Sequence, residues 1–542
     1  MDISRRLPSL EWHDIVDIGL TIGMYVYLLA PFMVIFIVGL VLYRLYLSPL
    51  AKFPGPRLAA ATGLYEFYYD VIRDGQFVWH IERLHQKYGP VVRIKPWEIH
   101  VKDPDNYNTL YAGVTRKRNK DSWFTFVGWP TSIFSTNGHA LHRARRSVLA
   151  QFFKRQAILD VEPLIQNNIR TLCSQFRHAQ RGNYSLELHT AFLCFTSDTI
   201  SQYAFGKHNG FRTLSQAELS TASKTKMVCT FELVQMARHF PWICKLAHVF
   251  PWPAKLLNAD FVESLTQERV RRFRVYIWNS TANWMYQEVQ NMVRKAIQER
   301  GKGSSEKPMP IYPAILENDR VPEDEKRFSR LADDANLLVL TGTDAPGRAL
   351  VMTLYFILRD PEVHRKLRAE LCASWPDASM DLELIALEKL PYFTAVLKEG
   401  LRLGPIVSTR LPRVAPDEIL QFHGYEVPRG VPVSMTAFFI HRDPKIFPDP
   451  LRFIPERWLL EPEDLRKLER YLVPFSRGTL GCLGPNMTWA WLYLVLGTLL
   501  RRFEMRLHNT TEENVEVTRD KFLGQTERGK NRVQIKVVRE YP

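Results

Sequence analysis

A mostly α-helical protein with small β-sheets, held to a membrane by an N-terminal helix, is the fold class this sequence predicts. Three observations lead there. Apolar residues recur at helical spacing across 138–153, 331–358 and 486–503, the pattern of core-facing helices. Period-two alternation is confined to short runs, Val91-Val92-Arg93-Ile94 and Ile99-His100-Val101, which read as brief paired strands. Residues 18–42 form 25 positions without a charge, long enough to cross a bilayer with some tilt.

The bulk composition agrees. Of 542 residues, 46% are hydrophobic and 12% aromatic, so the chain can fill a large core. Six cysteines (Cys173, Cys194, Cys229, Cys244, Cys372, Cys482) are scattered without C-x-x-C spacing, which points to a reducing compartment and no disulfide frame. The net charge is +15. No dense basic run interleaved with aromatics is present, so nucleic acid is a poor partner. An anionic membrane surface or an acidic protein surface fits the charge better.

From the N-terminus, residues 1–17 are a short leading segment and 18–47 the transmembrane anchor. Tyr25, Tyr27, Tyr43 and Tyr46 suit its two interfaces, and Pro31 is tolerable within a membrane helix. Basic residues flank the span on both sides (Arg5 and Arg6; Arg44, Lys52 and Arg57), so charge bias orients it only weakly. Residues 48–57 carry Pro54-Gly55-Pro56, which cannot continue a helix and reads as a stiff hinge. Residues 58–542 are then one domain.

Within that domain, the aromatic loop Trp123-Phe124-Thr125-Phe126-Val127-Gly128-Trp129 suits one wall of an apolar pocket. The helix after it carries His139, Arg143 and Arg146 on one face, either a solvated basic stripe or an anion site. Phe240-Pro241-Trp242 and Phe250-Pro251-Trp252-Pro253 bracket a short apolar segment, a packed loop or a second membrane contact. The central helix contains Thr341-Gly342-Thr343-Asp344-Ala345-Pro346. Pro346 offers no N–H to the Gly342 carbonyl, so a kink is expected there. Glu399 and Arg402 lie one turn apart among apolar neighbours, which argues for a buried pair over a surface one. Last comes Phe475-Ser476-Arg477-Gly478-Thr479-Leu480-Gly481-Cys482-Leu483-Gly484. Its glycines allow tight turning and close approach to a flat ligand. Cys482 precedes a helix start, where free N–H groups favour a thiolate. A structural cysteine in a glycine-rich turn is the plain alternative.

The spacing F-x-x-G-x-x-x-C-x-G resembles the heme-thiolate signature of the cytochrome P450 family, and the resemblance runs from about Leu40 to the C-terminus. It implies the cytochrome P450 fold, heme b as cofactor, and Cys482 as axial ligand to its iron, with Phe475, Gly478 and Gly484 shaping the loop. It places His139 and Arg143 at the tryptophan and arginine of the W-x-x-x-R propionate motif, and makes Arg413 a further propionate partner. It makes Glu399, Arg402 and Arg457 a structural triad. Thr341, Asp344 and Ala345 match the oxygen-activating stretch of the central helix. Two departures stand out: Ala345 replaces the proton-delivering threonine, and Leu480 replaces a basic propionate partner, so weaker heme retention is expected.

Particular stretches, such as Leu64-Tyr65-Glu66-Phe67-Tyr68-Tyr69-Asp70, resemble fungal secondary-metabolism P450s of the trichodiene-oxygenase kind. The resemblance therefore implies an iron-dependent monooxygenase acting on a lipophilic terpenoid, polyketide or alkaloid precursor. NADPH–cytochrome P450 reductase is the implied electron donor and cytochrome b5 a second candidate. Membrane lipid is a further partner, with a single-pass anchor in the endoplasmic reticulum and the catalytic domain facing the cytosol. The alternatives are an oxygen-independent heme-thiolate isomerase or lyase, to which the missing threonine lends weight, and a heme-binding protein without turnover.

Overall fold

The structure is a computed structural model that describes residues 28–125, 129–216, 219, 234–239, 281–302, 306–404 and 406–541. The sequence-predicted membrane contact between Phe240 and Pro253, and Phe126 to Gly128 of the aromatic loop, lie outside these residues. The described part of the N-terminal apolar run is helical over Leu28–Leu47, with a mean hydropathy of 2.3 and none of it buried in the protein. A long apolar helix that stays unburied among the described residues is suited to lipid. The Pro-Gly-Pro segment after it is pinned to the domain. The Arg93 N–H donates to the Pro54 carbonyl at 2.7 Å, and a Cβ on Gly55 would sit 2.4 Å from the Arg93 carbonyl oxygen. The Arg93 guanidinium reaches back to the Arg44 carbonyl at 2.8 Å.

The rest of the described chain is built around helices. Those that place the site are α1 (His139–Ala150), α2 (Glu162–Arg181), α3 (Leu188–Phe205), α4 (Val234–His239), α5 (Thr281–Gln298), α6 (Phe328–Arg359), α7 (Pro361–Ser374), α8 (Pro391–Leu403) and α9 (Pro485–Arg502). The 32 residues of α6 span about 48 Å at the usual rise. Every residue of α3 except Ser197 is buried, as expected of an apolar helix enclosed on all sides. Gly342 lets α3 and α6 cross closely, since a Cβ there would meet Ile200 at 2.8 Å. Helix α6 continues through Pro346, so the kink the sequence predicts does not end the helix. Pro346 is buried, and at this turn the Thr196 hydroxyl of α3 donates to the Thr343 carbonyl at 2.8 Å. Packing from α3 holds the rod where one backbone bond is missing.

Five strands form the largest sheet: β1 (Val91–Lys95), β2 (Glu98–Val101), β3 (Asn119–Lys120), β4 (Arg413–Val414) and β5 (Pro432–Ser434), in the order β1-β2-β5-β4-β3. Register sets Lys120 directly opposite Arg413. A separate hairpin, β6 (Arg519–Lys521) and β7 (Leu523–Gln525), turns at Phe522.

One buried ion pair ties helix α8 to the region before the cysteine loop. Glu399 and Arg402 are both fully buried, with both guanidinium–carboxylate contacts at 2.8 Å. Glu399 also accepts from Arg457 Nε, the Trp458 indole and the Ile454 N–H, each at 2.9 Å. Arg402 donates on to the carbonyls of His441 at 2.7 Å and Pro450 at 2.6 Å. His441 accepts the Val473 N–H on Nε2 at 2.9 Å, which requires a neutral ring. Burial, then the nearby Arg402 and Arg442, hold that ring's pKa down at about 3.

Two outcomes follow from this packing. Glu399→Gln should destabilise the fold by roughly 3–5 kcal/mol, because it strands the buried Arg402 charge; denaturant unfolding of the purified variant checks this. His441 and His85 have pKa values lowered mainly by burial, to about 3 and about 4. A histidine held neutral in the fold contributes stability that is complete above its unfolded pKa of about 6.5 and lost as pH falls below it. Each can cost up to about 2 kcal/mol at about pH 5. The melting temperature should therefore fall between about pH 6.5 and about pH 5; a flat profile there contradicts the assignment.

Candidate active site

The loop 475–484 is closed by its own backbone. The Cys482 N–H donates to the Phe475 carbonyl at 2.8 Å, and Gly481 N–H to Gly478 at 3.1 Å. Gly478 has φ +72°, and a Cβ there would lie 2.1 Å from the Ala112 carbonyl oxygen. Only glycine fits that position. By contrast, a Cβ on Gly484 would meet Phe153 no closer than 3.8 Å, so space alone does not demand glycine there. Helix α9 begins immediately after, and the Gly484 N–H points at Cys482 Sγ from 3.4 Å. Cys482 is exposed, yet burial is the largest influence on its thiol and pushes its pKa up. The sulfur therefore sits deep in a crevice open on one side. The Gly484 and Leu483 N–H groups and the Arg146 guanidinium oppose that rise. The expected dipole stabilisation is present but smaller than desolvation, so the free side chain is a neutral thiol. A bound metal cation reverses that balance.

Around this loop lies a set of basic side chains, Arg146, Arg413, Lys120 and His142. Arg146 donates to the Gly481 carbonyl at 2.8 Å and to the Cys482 carbonyl at 2.9 Å. Arg413 is buried, and its Nε has no partner. Its other nitrogens reach only carbonyls, Pro412 at 3.0 Å and Leu480 at 3.5 Å. Burial lowers its pKa, and no carboxylate counters the shift. Lys120, across the strand pair, donates to the Ile133 and Phe134 carbonyls at 2.7 and 2.8 Å. Burial, then Arg413 and Arg146, push its pKa far down. His142 is held near 3 by burial and by Lys120, Arg146, Arg413 and His139. Arg413, buried without a carboxylate partner, beside the partly buried Arg146 and Lys120, marks a place for an anion.

This geometry corrects one expectation. The sequence reading puts His139 and Arg143 at the propionate positions, but Arg143 is exposed, and the His139 ring lies 3.4 Å from the Arg118 backbone. His142 and Arg146 hold the inward places. His-x-x-x-Arg occurs twice in this helix, offset by three residues, and both copies fall near one face. Only burial separates them. Lys120 was likewise missed, because nothing in sequence shows it opposite Arg413.

The central helix α6 divides its residues by direction. Asp344 is wholly buried; burial alone would raise its pKa, but Arg348 and His189 hold it at about 2. Its carboxylate lies 2.7 Å from Arg348 Nε and 3.4 Å from His189 Nε2. Arg348 continues to the Gly524 carbonyl at 2.9 Å. Asp344 thus ties α6 to α3 and the hairpin. Thr341 is exposed although Leu340 and Thr343 beside it are buried. Its hydroxyl donates to the Leu337 carbonyl at 2.8 Å, leaving the oxygen lone pairs as acceptors. Ala345 packs into an apolar wall with Leu193, Leu340, Leu523, Trp129, Val407 and Phe522.

The family model for cytochrome P450 matches residues 62–531. The chain is 38% identical to a tryptophan 6-hydroxylase of Fusarium equiseti, over 89% of this chain and 91% of that protein. It is 36% identical to a conidiogenone synthase of Penicillium rubens, covering 90% and 94% of the two chains. It is 35% identical to the cytochrome P450 monooxygenase TRI4 of Trichoderma arundinaceum, covering 89% of each. That family binds heme through a cysteine thiolate, and Arg146 and Arg413, without carboxylate partners, fit its propionates, with Arg413 Nε free to donate. The N-terminal apolar helix suits membrane anchoring, and the family implies a redox partner and a lipophilic substrate. The chain belongs to the cytochrome P450 family and is a heme-thiolate monooxygenase.

Proposed function

We propose that the protein inserts one oxygen atom into a C–H or C=C bond of a hydrophobic precursor of a fungal secondary metabolite, of terpenoid, polyketide or alkaloid type. The observation that carries this reading is the Cys482 loop: an exposed cysteine under a helix start, with Arg146, Arg413, His142 and Lys120 around it and no carboxylate paired with Arg413 or Arg146. Cys482 would ligate the iron, and the cations would hold the propionates. When bound, the heme supplies oxygen activation. Phe475, Gly478 and Gly484 shape the loop, and Glu399, Arg402 and Arg457 hold it in place from behind. On the opposite side, Ala345 with Leu340, Val407 and Leu523 would exclude water and shape the substrate's position.

Proton supply falls to Thr341. Residues four apart share a helix face, so it lies one turn before Ala345 on the same side. With its own proton on the Leu337 carbonyl, its oxygen can hold a water there. Asp344 acts by position, since its ion pair with Arg348 fixes this turn. The relatives support a secondary-metabolic substrate: one is named for hydroxylating tryptophan and another for making conidiogenone. Electrons would come from NADPH–cytochrome P450 reductase, or from cytochrome b5, docking on the basic protein. We place the anchor at 18–47, the hinge at 48–57 and the catalytic domain at 58–542. The anchor would sit once through the endoplasmic reticulum membrane, with the domain in the cytosol. Ala345 favours one competing reading, an oxygen-independent isomerase.

Cys482→Ala should abolish the reduced, carbon-monoxide-bound Soret band, while the same change at Cys173 or Cys372 should leave it; a normal band in Cys482→Ala refutes the ligand assignment. Thr341→Ala should raise peroxide released per NADPH and lower product, and Ala345→Thr should alter coupling much less. Loss of every proton route would slow the step by roughly 100-fold or more. Unchanged coupling in Thr341→Ala rules out the water at that hydroxyl, and product formed without oxygen favours the isomerase.

A further inference from the structure

Arg238, on the short helix α4, is 2% exposed. Its Nε and Nη2 have no hydrogen-bond partner, and among the described residues no carboxylate lies within 4.0 Å of it. Asp520, Asp70 and Glu66 act on its charge from further off, and each is bonded elsewhere, Glu66 to Arg410. Asp520 accepts from the Ser408 hydroxyl at 2.8 Å and the Phe522 N–H at 3.0 Å, and Asp70 faces His239 at 3.4 Å. Burial lowers the Arg238 pKa to about 10, so it remains charged at neutral pH.

Nε and Nη2 are the two donors on one edge of the guanidinium, the edge that grips a carboxylate with two parallel bonds. The edge is therefore free, buried and charged. Its plane is already fixed: the guanidinium carbon sits 4.1 Å from the centre of the Phe124 ring and 5.5 Å from that of Phe522. Phe522 is in turn held in place. It adopts φ +79°, a costly conformation for a side-chain-bearing residue, secured by Asp520 beneath its N–H. Phe522 belongs to the apolar wall that contains Ala345. One turn before Arg238, Gln235 donates to the Asp520 carbonyl at 3.3 Å, while its amide oxygen has no partner. A cation with a free two-donor edge thus lies one helical turn from an unpaired acceptor and against Phe522, a member of the same apolar wall as Ala345.

We propose that the substrate is a hydrophobic carboxylic acid, held by its carboxylate side-on against Arg238 while its apolar body runs along Phe522 toward Ala345. This rests on the monooxygenase reading above and names the substrate class of that site. Arg238 then selects the substrate and sets how far along its body oxidation occurs, since the charge is anchored at a fixed end.

The test uses the full-length heme-loaded protein, with phenylacetic, phenylbutyric and naphthaleneacetic acids and their methyl esters as probes. Dissociation constants are read at neutral pH by equilibrium dialysis without NADPH. At least one acid should bind about tenfold or more tightly than its ester, since a charged hydrogen-bond pair is lost with the ester. In Arg238→Gln that ratio should fall to near one with the carbon-monoxide band intact, and Arg238→Lys should keep part of it. Equal binding of acid and ester by the unsubstituted protein, no acid bound, or a ratio that survives Arg238→Gln, each overturns the proposal. The acid-to-ester comparison in the unsubstituted protein decides even where a variant fails to fold. Absence of any NADPH-dependent product would instead sink the monooxygenase reading and leave the binding ratio standing.

Discussion

The interaction on which the rest depends is the ion pair between Glu399 and Arg402, sealed from water on helix α8. Two charges in a dry interior are costly unless every lone pair and N–H is met. Here Glu399 accepts from three further donors and Arg402 supplies carbonyls of the segment 441–452. Those demands fix the path of chain that leads to the cysteine loop. The neutral His441 ring extends the constraint by one link, because its lone pair receives the Val473 N–H two residues before Phe475. Phe475 then closes the loop on Cys482. The position of the sulfur is thus set by a charge pair well behind it in the chain.

Buried charge elsewhere sorts into balanced and unbalanced sets, and the distinction separates scaffold from site. Lys95 and Arg410 meet Glu66 and Glu98 beneath the large sheet, and Glu66 is held at about 2 against its own burial chiefly by Arg410 and Lys95. That group needs nothing from outside. Arg146 and Arg413 have no carboxylate partner and Lys120 only a minor pull from Asp334; their pKa values, and that of the neutral His142, all move downward. A fold that keeps cations dry and unpaired is destabilised until an anion arrives. Binding the dianionic edge of heme should therefore stabilise the domain as well as arm it.

The fold class and the cysteine loop were legible in the sequence because each is local: a fixed spacing of Phe475, Gly478, Cys482 and Gly484, and a helical period in the segments that flank it. The Glu399–Arg402 pair was legible for the same reason, with apolar neighbours signalling burial. What escaped is what strand register or helix rotation decides. Lys120 meets Arg413 only through the pairing of two short strands. Arg143 and Arg146 lie three residues apart on one helix, and which of them turns inward depends on what packs against α1. The sequence likewise shows the bond missing at Pro346 but not the clamp around it, in which α3 holds α6 through Thr196 and Gly342.

That clamp also accounts for the altered motif of the central helix. A helix presents a new direction about every 100°, so adjacent residues in this turn serve different neighbours. Gly342 and Thr343 serve α3, one by yielding space and the other by its carbonyl. Asp344 serves Arg348 and His189. Thr341 and Ala345 are left for the remaining side. Moving the hydroxyl from the later position to the earlier keeps a hydrogen-bonding oxygen on that side while turning the later position into apolar wall. A substrate body then packs against Ala345 without a polar group beneath it, and an unpaired buried hydroxyl there would cost affinity. The exchange makes sense if the site must grip a largely apolar molecule closely at this turn and take its protons from one turn away.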